Sequence, residues 1–263
     1  IGGMRQRFLG GPQVSSNVER LVTEARPNIE EVLEAFLKDQ RRRISAKTFS
    51  RYKSVVELLQ RYLDGYAYES LSDAESRFFD RRFNAEGKDH REFCQLFGPE
   101  KISANLHGFL SVFLIRKVMA GEDFKKAAGT VTHKLSKWLA EKEYVSPEVG
   151  EEGAELGSVA ARRLVEAERA GRLLQEAADR LGIETHSLPD ADYVDFDHFT
   201  IARVEPGKLW LEDWESGTAR PRGPIPAPKS ATQLLRTGWD VSCALARHRG
   251  VWHLVEIGNV YPL

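Results

Sequence analysis

No pair of cysteines in this 263-residue sequence is spaced to hold a metal ion or to act as a redox couple. The two present, Cys94 and Cys243, lie far apart, each inside an apolar run. They read as buried, reduced thiols of a cytoplasmic, bacterial-type protein. No apolar stretch approaches the ~18 residues of a membrane span, so no membrane association is expected. The first residues lack a signal-peptide pattern. Also missing are a glycine-rich phosphate loop, a Ser–His–Asp order and any zinc-ligand spacing, so neither metal, cofactor nor catalytic residue is expected. Asp190, Asp192, Asp195 and Asp197 cluster beside His198. With no glycine at the turn and no closing glutamate they do not form a calcium loop, and a solvated connector is the simpler reading.

Net charge is also scarce, at -1, but it is unevenly spread. Residues 1–146 carry 25 Lys and Arg against 20 Asp and Glu, and residues 147–263 carry 13 against 19. Such asymmetry fits a basic module joined to an acidic one, and a module this mildly basic makes only a modest electrostatic case for nucleic acid.

Residues 1–27 read as a flexible, glycine-rich arm. Asn28 with Glu31 forms a capping-box signature, and Ile29, Val32, Leu33, Phe36 and Leu37 follow on one helical face. Ser45 caps a second helix to Asp64, and Ser72 with Glu75 opens a third. Residues 84–98 read as loop. Pro99 starts a long apolar helix that Gly121 stops, and Glu122 to Glu143 forms the last helix of a bundle over residues 28–145. Ser146 to Gly157, rich in Pro, Gly and Glu, reads as a linker within a connecting region over residues 146–189. The helix after it places Ala160, Leu164, Ala167, Gly171, Leu174, Ala178 and Leu181 at heptad-like spacing. Packing on the chain's own core is the primary expectation for that seam, with a homodimer through residues 158–181 as the alternative.

From residue 190 the period changes to strand alternation: HFTIARV, KLWLEDW, GPIPAP, a helical turn in KSATQLLR, and a hairpin about Arg249-Gly250. The whole is therefore an α+β chain, with a small SH3-like or OB-like β-barrel over residues 190–263. Four of the five tryptophans lie there. Trp210 and Trp214 are candidates for a ligand groove on the barrel, weighed against a core role.

Two segments concentrate the chemistry. Arg41, Arg42, Arg43, Lys47, Arg51 and Lys53 surround a helix start with Ser45, Thr48 and Ser50 among them. Cations, small hydroxyl donors and helix-terminal amides are the groups that grip DNA phosphates. Lys125, Lys126, Thr130, His133, Lys134 and Lys137 form a second basic face on the last bundle helix. The bland reading of both is a solvated surface.

Ser45, Thr48 and Tyr52, followed by Leu135, Trp138 and Leu139 at the end of the last helix, resemble the SAM-like core-binding domain of tyrosine recombinases (phage integrases). The resemblance spans roughly residues 28–145. It implies a helical module that holds double-stranded DNA along both basic segments. That family's chemistry uses a tyrosine with arginines and histidines, including a His-x-x-Arg step. No histidine here has an arginine three residues on, and Tyr261 in GNVYPL reads as a closing strand. The expected function is a non-catalytic DNA-binding protein, integrase-like in its bundle. The rival is an interaction scaffold whose barrel binds a peptide or protein partner.

Overall fold

The computed structural model describes residues 22–118, 121–213 and 220–263. Of the expected arm, residues 1–21 lie outside these. Residues 22–27 are tied down: the Ala25 N–H donates to the Leu96 carbonyl at 2.8 Å, and Glu24 pairs with Arg82.

The chain is α+β, a helical part followed by a five-stranded antiparallel sheet. Helix α1 (Ile29–Arg41) starts at a complete capping box: Asn28 Oδ1 accepts from Glu31 N at 3.0 Å and Glu31 Oε2 accepts from Asn28 N at 2.9 Å. Helix α2 (Ala46–Tyr66) starts at Ser45 and α3 (Asp73–Phe83) at Ser72, whose N–H donates to Glu75 at 2.9 Å. The stretch expected to be loop instead contains α4 (Phe93–Leu96), which buries Phe93, Cys94 and Leu96 completely. Its Cys94 N–H donates to Asp64 at 2.9 Å, a tertiary bond invisible to local periodicity. Burial pushes both cysteine thiols upward in pKa, so they are inert thiols of the core.

The long apolar helix is broken into α5 (Glu100–Gly108), a π-turn over Phe109–Phe113, and α6 (Leu114–Arg116). A side chain on Gly108 would collide with the Tyr62 hydroxyl at 2.3 Å. The wide turn carries Phe109 and Leu110 into the same core as Leu106. Helix α7 (Glu122–Glu141) buries Ala127, Ala128, Val131, Leu135, Trp138 and Leu139.

The largest departure from expectation is α8 (Pro147–Leu181), a single 35-residue helix. Ser146 caps it, Pro147 occupies its first turn, and Gly182 ends it in the left-handed conformation at φ 58°. The supposed linker is its first third. Cβ atoms on Gly150, Gly153 and Gly157 would meet Ala140 Cβ at 2.5 Å, Ser136 Oγ at 2.4 Å and the His133 backbone N at 2.4 Å. Glycine here permits helix contact with α7 rather than breaking the chain. Of the seam positions, Ala160, Leu164, Ala167, Leu174 and Ala178 are buried within the chain itself, Gly171 is half-buried and Leu181 is exposed.

Strands β1 (Tyr193–Glu205), β2 (Lys208–Asp213), β3 (Arg222–Pro226), β4 (Asp240–His248) and β5 (Val251–Tyr261) are ordered β3-β2-β1-β4-β5. A short α9 (Lys229–Thr232) fills the β3–β4 connection. The β4–β5 turn is Arg249-Gly250 with φ 52° and 80°, the positive pair that matches strand twist. Pro224 and Pro226 sit on the edge strand β3, where a missing donor is tolerated. Arg222 of β3 lies 5.9 Å over the Trp252 ring of β5, so the two sheet edges curl toward each other.

Two apolar cores result. One holds the bundle with Ala160 and Leu164 of α8; the other holds the sheet with Ala167, Ala170 and Leu174 of the same helix. Helix α8 therefore belongs to both, and Pro147–Leu181 is a packed element, while residues 182–189 connect it to β1.

Candidate nucleic-acid interface

The α1–α2 connection turns within Arg42–Ser45, so the cations of Arg41 to Lys53 surround a single helix start. Ser45 Oγ accepts the Thr48 N–H at 3.3 Å and lies 3.0 Å from Thr48 Oγ1, so both hydroxyls take part in the cap. Arg41, Arg42, Arg43, Lys47, Thr48, Arg51 and Lys53 are all exposed. Lys47 and Arg51 share one flank of α2; Lys53 leans to the other and pairs with Glu57 at 3.5 Å. Arg41 is placed 5.7 Å over the Phe49 ring.

On α7, Lys126, Thr130, Lys134 and Lys137 share the exposed face. His133 does not belong with them. It is half-buried against α8, with Nδ1 2.9 Å from the Ala154 carbonyl and 2.8 Å from Ser158 Oγ. At the helical angle of residue 133 the chain meets Gly157, and the histidine takes up the polar groups beside that close contact.

The two basic segments meet at a hollow of about 310 Å³ between α1, α2 and α7. Arg43, Lys134 and Lys137 line it together with Gln40, Ile44, Tyr52, Trp138 and Glu141. Its floor is aromatic: Trp138 packs edge-on to Phe36 at 5.6 Å, and Phe36 stacks with Tyr52 at 6.4 Å. The Trp138 indole N–H donates to Asp39 at 3.0 Å. That bond, followed by the charges of Lys142, Arg43 and Arg42, holds the Asp39 carboxyl below its usual range. Sequence reasoning names Tyr52 and Trp138 only through the recombinase resemblance and does not anticipate Gln40, Asp39 or Glu141 at this rim; their signal is only positional, one helical turn from the cations.

Acids temper the field. Arg51 meets Asp123 at 3.7 Å, Lys137 meets Glu151 at 3.7 Å, and Lys142 meets Asp39 at 3.7 Å. These are long, solvent-exposed pairs of the kind worth ~0–1 kcal/mol, small enough for a phosphate to replace the carboxylate. Arg42, Arg43, Lys47, Lys126 and Lys134 make no ion pair among the described residues.

The other candidates fall elsewhere. Trp210 is half-buried, with the Arg203 guanidinium 4.7 Å from its ring centre. Gly223 approaches the same indole so closely that a Cβ there would lie 2.5 Å from Trp210 Cδ1. Part of its surface is thus covered by the chain. Trp214 lies outside the described residues. The aspartates alternate along and before β1: Asp192 pairs with Arg247, while Asp195 and Asp197 each accept a neighbouring backbone N–H at 2.7 Å. Among the described residues no group of three or more His, Cys, Asp or Glu side chains is arranged to hold a metal ion. No described helix is long and apolar enough to cross a membrane.

One junction had no sequence signal. Arg116 Nε donates to Tyr261 Oη at 3.0 Å, and Arg116 Nη2 donates to His198 Nε2 at 2.6 Å, linking the end of α6 to β5 and β1. Comparison with protein-family models, with curated proteins and with solved structures finds no match to this chain.

Proposed function

We propose that this chain is a non-catalytic DNA-binding protein whose α1–α2 turn and α7 face hold the phosphates of a duplex. The observation that carries this reading is the shared hollow: Arg43 comes from one basic segment, Lys134 and Lys137 from the other, and all three line it. Arg42 and Lys47 extend the positive rim on one side, and Lys126 and Thr130 extend it along α7. Phosphate contacts of this sort position a protein on DNA without reading bases. The likeness of residues 28–145 to the core-binding domain of tyrosine recombinases favours the same assignment. The approach of β3 to β5 supports an SH3-like or OB-like barrel for the C-terminal sheet.

The scaffold alternative requires an open aromatic groove on the sheet. At Trp210 that surface is taken by Arg203 and Gly223, which counts against it. Fluorescence anisotropy with a mixed-sequence duplex at low and moderate salt tests the proposal. Binding that weakens steeply with salt, and that Lys134→Glu or Arg43→Glu reduces at equal salt, is the expected outcome. Absence of binding at low salt, or binding indifferent to both reversals, would refute it.

A further inference from the structure

We infer that the cleft between the helical bundle and the sheet binds a small phosphorylated molecule of nucleotide size. This site is separate from the DNA-facing hollow and does not depend on it. The cleft has a volume of about 560 Å³, within the ~300–1,000 Å³ typical of small-molecule sites. Its apolar surface comes from Ile115, Leu164, Ala167 and Val260, and its cations are Arg116, Lys117, Lys125 and Arg172.

The charges in this cleft are not balanced. Lys125 is matched by Glu168, one cation to one carboxylate. Arg172 shares its partner: Glu122 is already bound by Arg169 at 2.6 Å and lies 3.8 Å from Arg172. That sharing holds the Glu122 carboxyl below its usual range, through the Arg169 hydrogen bond first. Arg116 is fixed by uncharged acceptors, Tyr261 Oη and the His198 Nε2 lone pair, with its guanidinium 5.5 Å from the Tyr261 ring centre. Among the described residues no carboxylate pairs with Arg116 or Lys117. An arginine held in place by uncharged groups keeps its full charge and retains further N–H donors. Beside an apolar wall such an excess concentrates anions. A bare inorganic anion would leave the apolar wall unused, whereas a phosphate carried on a planar or apolar body uses both.

Gly171 supports the same assignment. It lines the cleft, and a Cβ there would touch only Val260 Cγ2, at 3.5 Å. Unlike Gly157, this glycine is not required by helix packing; it keeps space open. A long side chain at 171 therefore enters the cleft without disturbing the α7 contact.

The test is isothermal titration of the full chain with ATP, pyrophosphate and adenosine as probes, with thermal melting of each variant as the check of folding. ATP is expected to bind one to one, adenosine much more weakly. Lys117→Glu and Arg172→Glu, both on exposed side chains, should each weaken ATP by about tenfold. Gly171→Leu should abolish binding while the protein still melts cooperatively. Lys134→Glu should leave ATP binding unchanged, so this site and the DNA interface can fail separately. No heat with ATP at millimolar concentration would overturn the inference. So would ATP binding that survives Gly171→Leu and both reversals, or pyrophosphate binding as tight as ATP and indifferent to Gly171→Leu.

Discussion

Between Pro147 and Gly157, α8 presents Gly150, Gly153 and Gly157 to α7; between Ala167 and Ala178 it presents Ala167, Ala170 and Leu174 to the sheet. One continuous helix thus uses two packing schemes. Against α7 the backbones come so close that only hydrogen fits at the contact, and Gly129 answers Gly157 from the opposite helix, its own Cβ position lying 2.3 Å from Ala161 N. Against the sheet, ordinary alanine and leucine side chains fill the gap. The same residue type, glycine, is required by helix packing in one half and not in the other. The lesson is that its meaning lies in what faces it.

Identical substitutions in the two halves expose the contrast. Gly157→Ala places a methyl 2.4 Å from the His133 backbone N, where no flexible side-chain end can move aside. It should destabilise by about 1–3 kcal/mol or more, the range for overpacking, read as a lower midpoint in chemical denaturation. Gly171→Ala meets only Val260 at ordinary contact distance, and it should stabilise by about 0.5–1 kcal/mol, because alanine restricts the unfolded chain and favours helix. If both substitutions shift stability the same way, the two-scheme account of α8 fails.

A weaker effect separates the helical part's two surfaces. Asp39 sits beside the cations of the hollow and accepts from Trp138, and its carboxyl pKa lies below the ordinary value. A depressed folded pKa means its contribution to stability is present above the ordinary carboxylate value and is lost as pH falls through the lowered one. Asp39→Asn keeps an acceptor for the indole but removes the charge. It should flatten the acid limb of the stability profile and tighten duplex binding by about threefold, since a half-buried carboxylate no longer offsets the charges of Lys142, Arg43 and Arg42. Weaker duplex binding by this variant would place DNA away from the hollow.

Much of the fold was legible because its signals are local. The caps at Asn28, Ser45 and Ser72, the buried face of α1 and the β4–β5 turn each follow from residues within a turn or two. What escaped was set at a distance. The glycines of α8 read as a linker because their partner, α7, is not in the local window. Helix α4 is too short to show a period and is held by Asp64. Gly108, just before the π-turn, stands against Tyr62 of another helix, a contact that no local window shows. The candidate interface divides the same way: the exposed cations were evident from composition and spacing, whereas the turning of His133 toward α8 and the meeting of Arg116 with His198 and Tyr261 are products of tertiary assembly.

The most direct measurement is the slope of log binding constant against log salt for a mixed-sequence duplex, comparing the unaltered chain with an Arg43→Glu/Lys134→Glu double variant. Removing two phosphate-binding cations from one hollow should lower the magnitude of the slope by about 1.8, with affinity falling at every salt concentration. An unchanged slope in a folded double variant would contradict the claim that these two segments grip DNA together.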